Sequence, residues 1–89
     1  MLRPEYTSQF KKDLKTISKR RWDVELLKEI IRQLCAEQPL AESNRDHQLS
    51  GNWSQYRECH IKPDWLLIYQ VGNGLIVFDR TGTHSDLFG

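Results

Sequence analysis

The chain has 89 residues, of which 28% are charged and 38% hydrophobic, and its formal net charge is +1. This length leaves room for one domain, residues 1–89, and the composition excludes a disordered chain. The longest apolar run, residues 65–69, is too short to span a bilayer. Because the first residues contain no apolar signal region, we expect a cytoplasmic protein. Cys35 and Cys59 form no CxxC pair, and we expect both to be reduced and packed.

The charge is unevenly distributed along the chain. Residues 1–32 hold nine of the thirteen Lys and Arg residues but only five of the twelve Asp and Glu residues. A locally basic region is compatible with nucleic-acid binding, and it is equally common as a solvated surface. The net charge alone therefore indicates no partner.

The start of the chain predicts a weak strand over residues 2–6 and then a helix. Thr7 or Ser8 can cap this helix, in which Phe10, Leu14 and Ile17 share one face at helical spacing. The opposite face carries four lysines, which are Lys11, Lys12, Lys15 and Lys19.

A second helix is predicted between Asp23, which can cap its N-terminus, and Pro39, which marks its end. It has a wide apolar stripe, made of Leu26, Leu27, Ile30, Ile31 and Leu34. Such a stripe is typical of a helix that packs on a hydrophobic core.

The second half of the chain begins with a long loop, residues 38–52, which contains His47. Loops of this length in compact domains are usually functional or mobile. Alternating patterns then predict strands over residues 56–62, 65–71 and 75–81, with a hairpin turn signal at residues 72–74. Residues 83–86 have the form of a capping box.

The order of one strand, two helices and three strands predicts an α+β fold. In this fold the two N-terminal helices pack on one face of a small antiparallel sheet. The other face of the sheet is then an open, concave surface. Alternation along residues 56–62 puts Glu58 and His60 on one face of their strand and Cys59 on the other.

The three histidines of the chain, His47, His60 and His84, all lie in its second half, at strand edges or in loops. Imidazole has an unperturbed pKa of about 6.5 and can therefore both accept and donate a proton near neutral pH. Three histidines with Asp64 in so small a protein indicate an acid–base site. Unrelated surface histidines are the alternative for any one of them taken alone.

Two segments carry a family resemblance. Residues 46–69 contain the pattern DHxLxGxWxxYRxxHxxPDWxLIY, and residues 80–89 contain RTGTHxxLFG. These segments resemble the YafQ branch of the RelE superfamily, whose members are toxins of bacterial toxin–antitoxin modules. The resemblance is dense in the second half of the chain, whereas the N-terminal helices match only by pattern.

The resemblance implies a RelE-like fold and a ribosome-dependent endoribonuclease that cuts mRNA in the decoding site. It also implies neutralisation by an antitoxin of the DinJ type. The family's functional residues fall on His47, His60, Asp64, Trp65, His84 and Phe88. RelE itself relies on Lys, Arg and Tyr, so its residue roles are not transferred to this chain.

Metal-free RNA cleavage requires a base for the 2′-hydroxyl and an acid for the departing 5′ oxygen. We assign His84 as the acid, His47 or His60 as the base, and Asp64 as the carboxylate that orients an imidazole. The exchanged assignment of acid and base is the alternative, because the sequence does not order these roles. Arg80 is a candidate phosphate clamp, and a strand arginine paired with an acid is the alternative.

Two aromatic residues and the lysine stripe are candidate RNA contacts. Trp65 and Phe88 are expected to stack on mRNA bases, although each could instead belong to the core. The lysines of the first helix are expected to contact ribosomal RNA, with a solvated face as the alternative.

Three rival interpretations of the chain remain. A zinc site is disfavoured because the four-residue separation of His60 and Asp64 is a metal-ligand spacing only on a helix, and Pro63 opposes a helix there. We therefore expect neither metal nor cofactor. The other rivals are a ParE-type gyrase inhibitor, which has the same architecture but no histidine cluster, and a non-catalytic interaction module.

Overall fold

The computed structural model describes residues 1–89 and contains five strands and three helices. In chain order these are β1 (Arg3–Tyr6), α1 (Ser8–Lys19), α2 (Val24–Cys35), β2 (His47–Gln48), β3 (Arg57–Lys62), β4 (Trp65–Gly72), β5 (Leu75–Gly82) and α3 (His84–Phe88). The predicted α+β class is confirmed.

The first two helices begin where the sequence predicts, because each has a side chain that caps it. The Thr7 hydroxyl accepts a hydrogen bond from the backbone N–H of Phe10, and the Asp23 carboxylate accepts one from Glu25. These caps satisfy backbone donors that a helix leaves free at its N-terminus.

The sheet has the strand order β1-β5-β4-β3-β2 and is mixed. Strands β3, β4 and β5 form the antiparallel meander that the sequence predicts. Asn73 and Gly74, with φ of 54° and 77°, make the tight turn between β4 and β5.

The prediction of a purely antiparallel sheet is wrong because β1 pairs with β5 in parallel. Parallel neighbours need a long crossover connection, and α1 and α2 lie within the segment that joins β1 to the meander. The long loop also contributes an edge strand, β2, which pairs with β3. Its two residues carry too little pattern to be recognised in the sequence.

Helices α1 and α2 cover one face of the sheet, and their apolar stripes meet its alternating residues. The shared core comprises Phe10, Ile17, Leu27, Ile30, Leu34, Cys59, Trp65, Leu67, Tyr69, Ile76 and Phe78. Both cysteines are free thiols, and burial raises the pKa of Cys59 and of Cys35. None of the three helices is long and apolar enough to cross a membrane.

The face of the sheet away from α1 and α2 carries Glu58 and His60. Two bulges modify the strands there, with Ile61 as the extra residue on β3 and Asp79 as the extra residue on β5. Bulges bend a strand and redirect its side chains, and they are frequent beside active sites.

Candidate active site

Three different elements bring the predicted acid–base residues together. His47 lies on the edge strand β2, His60 on β3, and His84 is the first residue of α3. Asp64 lies in the turn between β3 and β4. The ring centroids of His60 and His84 are 6.0 Å apart.

Asp64 orients His84 through two contacts with one carboxylate oxygen. Oδ1 of Asp64 accepts a hydrogen bond from the backbone N–H of His84 at 3.1 Å, and it lies 2.8 Å from His84 Nδ1. These contacts hold the pKa of Asp64 below its usual value, first through the backbone hydrogen bond and then through the imidazole. Because Nδ1 faces a carboxylate, Nε2 of His84 is the nitrogen left to exchange a proton with a substrate.

Helix α3 is fixed at its N-terminus by the predicted capping box. The Thr83 hydroxyl accepts a hydrogen bond from the Asp86 N–H, and the Asp86 carboxylate accepts one from the Thr83 N–H. Gly82 makes this possible, since its φ is 153° and a Cβ there would lie 2.9 Å from Asp86 Oδ2.

Arg20, at the end of α1, also holds the Asp86 carboxylate. Its Nη1 and Nη2 donate to Oδ2 and Oδ1 at 2.6 and 2.9 Å. The Arg20 hydrogen bonds and the capping contacts lower the pKa of Asp86. The helix that carries His84 is thus tied to a residue 66 positions earlier in the chain.

Glu58 links the other two histidines and was not among the predicted site residues. Its carboxylate Oε2 lies 3.2 Å from His47 Nε2 and 3.8 Å from His60 Nε2, and the residue is only 7% exposed. The signal in the sequence was its position two residues before His60, which places both side chains on the same face of β3.

The loop that carries His47 is held by hydrogen bonds to the sheet. The Tyr69 hydroxyl donates to Asp46 Oδ1 at 2.5 Å, and Arg57 lies 3.4 Å from the same oxygen. His47 Nδ1 is 2.6 Å from the carbonyl oxygen of Arg45. His47 is therefore positioned through its own backbone neighbours as well as through Glu58.

An aromatic cleft lies beside His84. Phe88 is 46% exposed, and its ring packs edge-on against Trp53 at 5.8 Å and lies 6.5 Å from the ring of His84. The cleft has a volume of about 280 Å³, and its walls include Trp53, Tyr56, Ile68 and Phe88. The exposure of Phe88 opposes the core alternative, and its contact with RNA stays a prediction. Trp53 was not singled out as an RNA contact from the sequence.

Trp65 belongs to the core, and the prediction that it stacks on RNA is wrong. The residue is 3% exposed, and its Nε1 donates a hydrogen bond to the Thr81 hydroxyl at 2.9 Å. Trp22 packs on the ring at a centroid distance of 5.0 Å. A ring enclosed in this way has no free face for a base.

Arg80 pairs with an acid, as the alternative prediction allowed. Its Nε and Nη2 donate to the Asp13 carboxylate on α1 at 2.8 and 3.2 Å, and the Thr81 N–H donates to the same carboxylate. Nη1 of Arg80 has no hydrogen-bond partner in the protein, and the residue lines the aromatic cleft. A phosphate contact through Nη1 stays a prediction.

The four lysines of α1 are all solvent-exposed, as the helical pattern predicts. Their role as a ribosome-binding surface stays a prediction. No group of three or more His, Cys, Asp or Glu side chains lies close enough together to hold a metal ion.

The family described as "Bacterial toxin of type II toxin-antitoxin system, YafQ" matches residues 2–89. The chain belongs to the YafQ family. The match extends through both N-terminal helices, which the sequence patterns alone left less well defined. The RelE-like fold expected from the resemblance is confirmed by YafQ structures.

Relatives of the YafQ family support this membership over nearly the whole chain. The mRNA interferase toxin YafQ of Escherichia coli K12 is 44% identical over 86 residues, which are 96% of this chain and 94% of the relative. YafQ in the crystal structure of the E. coli DinJ–YafQ complex has 42% identity and a TM-score of 0.92, with full coverage of both chains. A metal-bound toxin from Helicobacter pylori has 43% identity and a TM-score of 0.93 over 99% of this chain and all of the other.

Proposed function

We propose that the protein cleaves mRNA in the ribosomal A site by metal-independent acid–base catalysis and so inhibits translation. Membership of the YafQ family makes it an endoribonuclease toxin. The observation that carries the proposed mechanism is the pairing of His84 with Asp64 beside a second imidazole. The ring centroids of His84 and His60 are only 6.0 Å apart. Because ribosomes are the site of action, the protein acts in the cytoplasm.

His84 is the general acid. Asp64 holds Nδ1 at 2.8 Å and stabilises the protonated ring, since an ionised carboxylate favours the cationic partner. The lowered pKa of Asp64 keeps this carboxylate ionised. Nε2 then donates its proton to the 5′ oxygen that leaves phosphorus.

His60 is the general base. Its Nδ1 lies 3.2 Å from the carbonyl oxygen of Pro63, which selects the tautomer with the proton on Nδ1. Nε2 then carries the lone pair that accepts a proton. Glu58, 3.8 Å from Nε2, stabilises the cation formed when His60 takes that proton. Both ring nitrogens of His47 face acceptors, which are the Arg45 carbonyl oxygen and the Glu58 carboxylate. We assign His47 to offset the negative charges of Glu58 and the phosphate.

The reaction forms one bond and breaks one bond at phosphorus. The 2′ oxygen attacks as its proton passes to His60, and the bond from phosphorus to the 5′ oxygen breaks as His84 protonates that oxygen. The products are a 2′,3′-cyclic phosphate, which can open to a 3′-phosphate, and a 5′-hydroxyl. Each proton transfer contributes roughly 10²–10⁴-fold to the rate.

The aromatic cleft supports binding of a splayed mRNA base. Phe88 and Trp53 are about half exposed, and the Phe88 ring lies 6.5 Å from the ring of His84. Bases stack on such rings with little dependence on sequence. We assign Arg80 Nη1 as the donor to a phosphate at the edge of the same cleft, because Arg80 lines this cleft and Nη1 has no partner in the protein. The lysines of α1 are the surface we propose for ribosomal RNA.

An antitoxin of the DinJ type is the partner we propose for the resting state. The support is the E. coli DinJ–YafQ complex, whose toxin matches this chain along its whole length. Binding of a cognate antitoxin would keep the nuclease inactive until the antitoxin is removed.

The test is to map mRNA ends after brief expression of the wild type and of His84→Ala, His60→Ala and Asp64→Ala. We expect cleavage with 5′-hydroxyl ends by the wild type and none by the variants, all of which should remain folded by circular dichroism. Wild-type toxicity in all three variants would refute the site.

A second arm tests the metal-independent step with a zinc-selective chelator, because general chelation removes the magnesium that ribosomes need. Cleavage should continue in its presence. Loss of cleavage that zinc restores would refute the metal-free mechanism, and the metal-bound toxin of H. pylori makes this arm necessary.

A further inference from the structure

Two cations in the second half of the chain have no carboxylate partner. After Arg32 the sequence contains only four Lys and Arg residues. Arg57 pairs with Asp46, and Arg80 pairs with Asp13. The remaining two, Arg45 and Lys62, form no salt bridge and no side-chain hydrogen bond, so their charges are free to meet a ligand.

Both free cations line the same cleft, which opens beside His60. The cleft has a volume of about 440 Å³, and its walls are Ser43, Asn44, Arg45, His60, Ile61, Lys62 and Pro63. No Asp or Glu residue is among them. The cleft is therefore cationic and polar, and it adjoins the proposed general base directly.

The turn that presents Arg45 is fixed on both sides to the active site. Asn44 Nδ2 donates to the carbonyl oxygen of His60 at 2.7 Å, and the carbonyl oxygen of Arg45 lies 2.6 Å from His47 Nδ1. Arg45 itself has φ of 46° and ψ of 48° in the left-handed region. A side-chain-bearing residue adopts this conformation at an energetic cost, and such residues occur often at ligand sites.

We propose that this cleft binds the RNA phosphate next to the scissile one, with Arg45 and Lys62 as its ligands. The inference rests on the proposed function, because the cleft adjoins His60. A guanidinium can hold a phosphate with two parallel hydrogen bonds, and an ammonium holds it as a point charge. Contacts of this kind set the register of a nucleic acid on a protein. The subsite thus aligns the scissile phosphate between His60 and His84.

The occupant is an RNA phosphate and not an acidic segment of the antitoxin, because the cleft shares its wall with a catalytic side chain. Any mRNA strand cut between His60 and His84 has a neighbouring phosphate within one nucleotide of His60. The antitoxin alternative is retained as an outcome of the test.

The first experiment compares kcat and KM for cleavage on ribosomes programmed with mRNA. The double variant Arg45→Gln/Lys62→Gln should raise KM at least about tenfold, because both charge-assisted contacts to one phosphate are lost, and leave kcat near the wild-type value. Arg45→Gln keeps the Cβ, so the backbone of the turn is unchanged. Arg45→Lys should retain most of the wild-type affinity.

The matched control is Arg3→Gln/Lys28→Gln, which removes the same number of charges. Arg3 lies on β1, at the sheet edge opposite β2, and Lys28 lies on α2. Both are exposed. This variant should behave as the wild type, which separates a local contact from the loss of net charge.

The second experiment removes the negative charge from one linkage of the RNA and leaves the protein unchanged. An mRNA with a methylphosphonate at one or the other linkage flanking the scissile phosphate should bind the wild type about tenfold more weakly at one of the two positions. The Arg45→Gln/Lys62→Gln variant should be insensitive to that change, because the contact is already absent.

Three results would overturn the proposal. One is a double variant with wild-type KM, and another is a double variant as sensitive to the neutral linkage as the wild type. The third is weakened antitoxin binding with unchanged RNA constants, which would assign the cleft to the antitoxin. Each leaves wild-type cleavage intact, whereas failure of the proposed function would abolish cleavage by the wild type itself.

Discussion

In the proposed mechanism, proton transfer depends on how two carboxylates hold three imidazole rings. Asp64 is exposed and contacts His84 alone, whereas Glu58 is buried and lies between His47 and His60. A buried carboxylate beside imidazoles interacts with them more strongly than an exposed one, because water screens it less. Because the two carboxylates differ in burial, we propose different roles for them.

Replacement of Glu58 by Gln should lower kcat roughly 100-fold, the lower end of what general acid–base catalysis contributes. Glutamine has nearly the same shape, so packing is retained while the negative charge is lost. Single-turnover cleavage measures the effect, and circular dichroism monitors the fold. Glu42→Gln is the control, since Glu42 lies on an exposed turn of the loop that carries His47. An unchanged kcat for Glu58→Gln would remove Glu58 from the site.

Phe88 differs from the core aromatic residues in its exposure. We expect Phe88→Ala to weaken mRNA binding by about 1–3 kcal/mol, the usual value for one stacked base, with little change in Tm. The control is Phe78→Ala, since Phe78 is fully buried and its truncation should cost about 3–5 kcal/mol of stability. A similar fall in Tm for both variants would favour a packing role for Phe88.

At the scale of elements, α3 is short but carries both His84 and Phe88. A helix of five residues has too few internal hydrogen bonds to be stable alone. It is held by its capping box, by Asp64 and by the Arg20–Asp86 pair, which connects it to α1. Its position is therefore a property of the assembled protein.

The Arg20–Asp86 pair predicts a dependence of stability on pH. The pKa of Asp86 is lowered in the folded state, so its contribution is present above the usual aspartate pKa of about 3.9 and is lost as the pH falls toward the folded value. Asp86→Asn should therefore melt below the wild type at pH 7, and the difference should shrink below about pH 4. Thermal melting across this range measures it.

The control for this prediction is Glu5→Gln, which changes an exposed carboxylate on β1 that forms no salt bridge. Its Tm should follow the wild type at every pH. An Asp86→Asn variant with a constant difference from the wild type between pH 7 and pH 3 would contradict the ionic role of Asp86.

At the scale of the whole molecule, charge and catalytic groups are separated. The protein measures 33 × 29 × 28 Å and has a net charge of only +1. Four of its six lysines lie on α1, whereas the histidines lie on β2, β3 and α3. Such a molecule can contact ribosomal RNA with one surface and a single codon with another. Under the proposed function, the ribosome supplies the alignment that a larger enzyme would provide itself.

Changing Lys11, Lys15 and Lys19 to Glu should abolish ribosome association and cleavage without unfolding the protein. Phosphate contacts release counterions, so wild-type association should weaken by about 0.7–0.9 log units per log unit of salt for each phosphate neutralised. Ribosome sedimentation at several salt concentrations measures both effects. Equal cleavage of naked and ribosome-bound mRNA by the wild type would contradict this account.

Features that depend on near neighbours in the chain could be predicted from the sequence. Thr7, Asp23 and Thr83 cap helices through backbone groups two or three residues away, and Asn73 with Gly74 makes a turn that few other pairs can adopt. Periodicity likewise assigned the apolar stripes, because a helix and a strand repeat with different spacing. The same local patterns carried the family resemblance.

Contacts between residues distant in the chain could not be predicted, because they form only when the helices pack on the sheet. Arg80 meets Asp13 across 67 positions, and Trp65 lies in the core because Trp22 from the loop after α1 packs on it. The parallel pairing of β1 and the place of Glu58 between two histidines depend equally on how the helices and sheet assemble. The number of positions between two such residues in the sequence does not give the distance between them in the fold. Burial and pairing are fixed only when the whole core has packed.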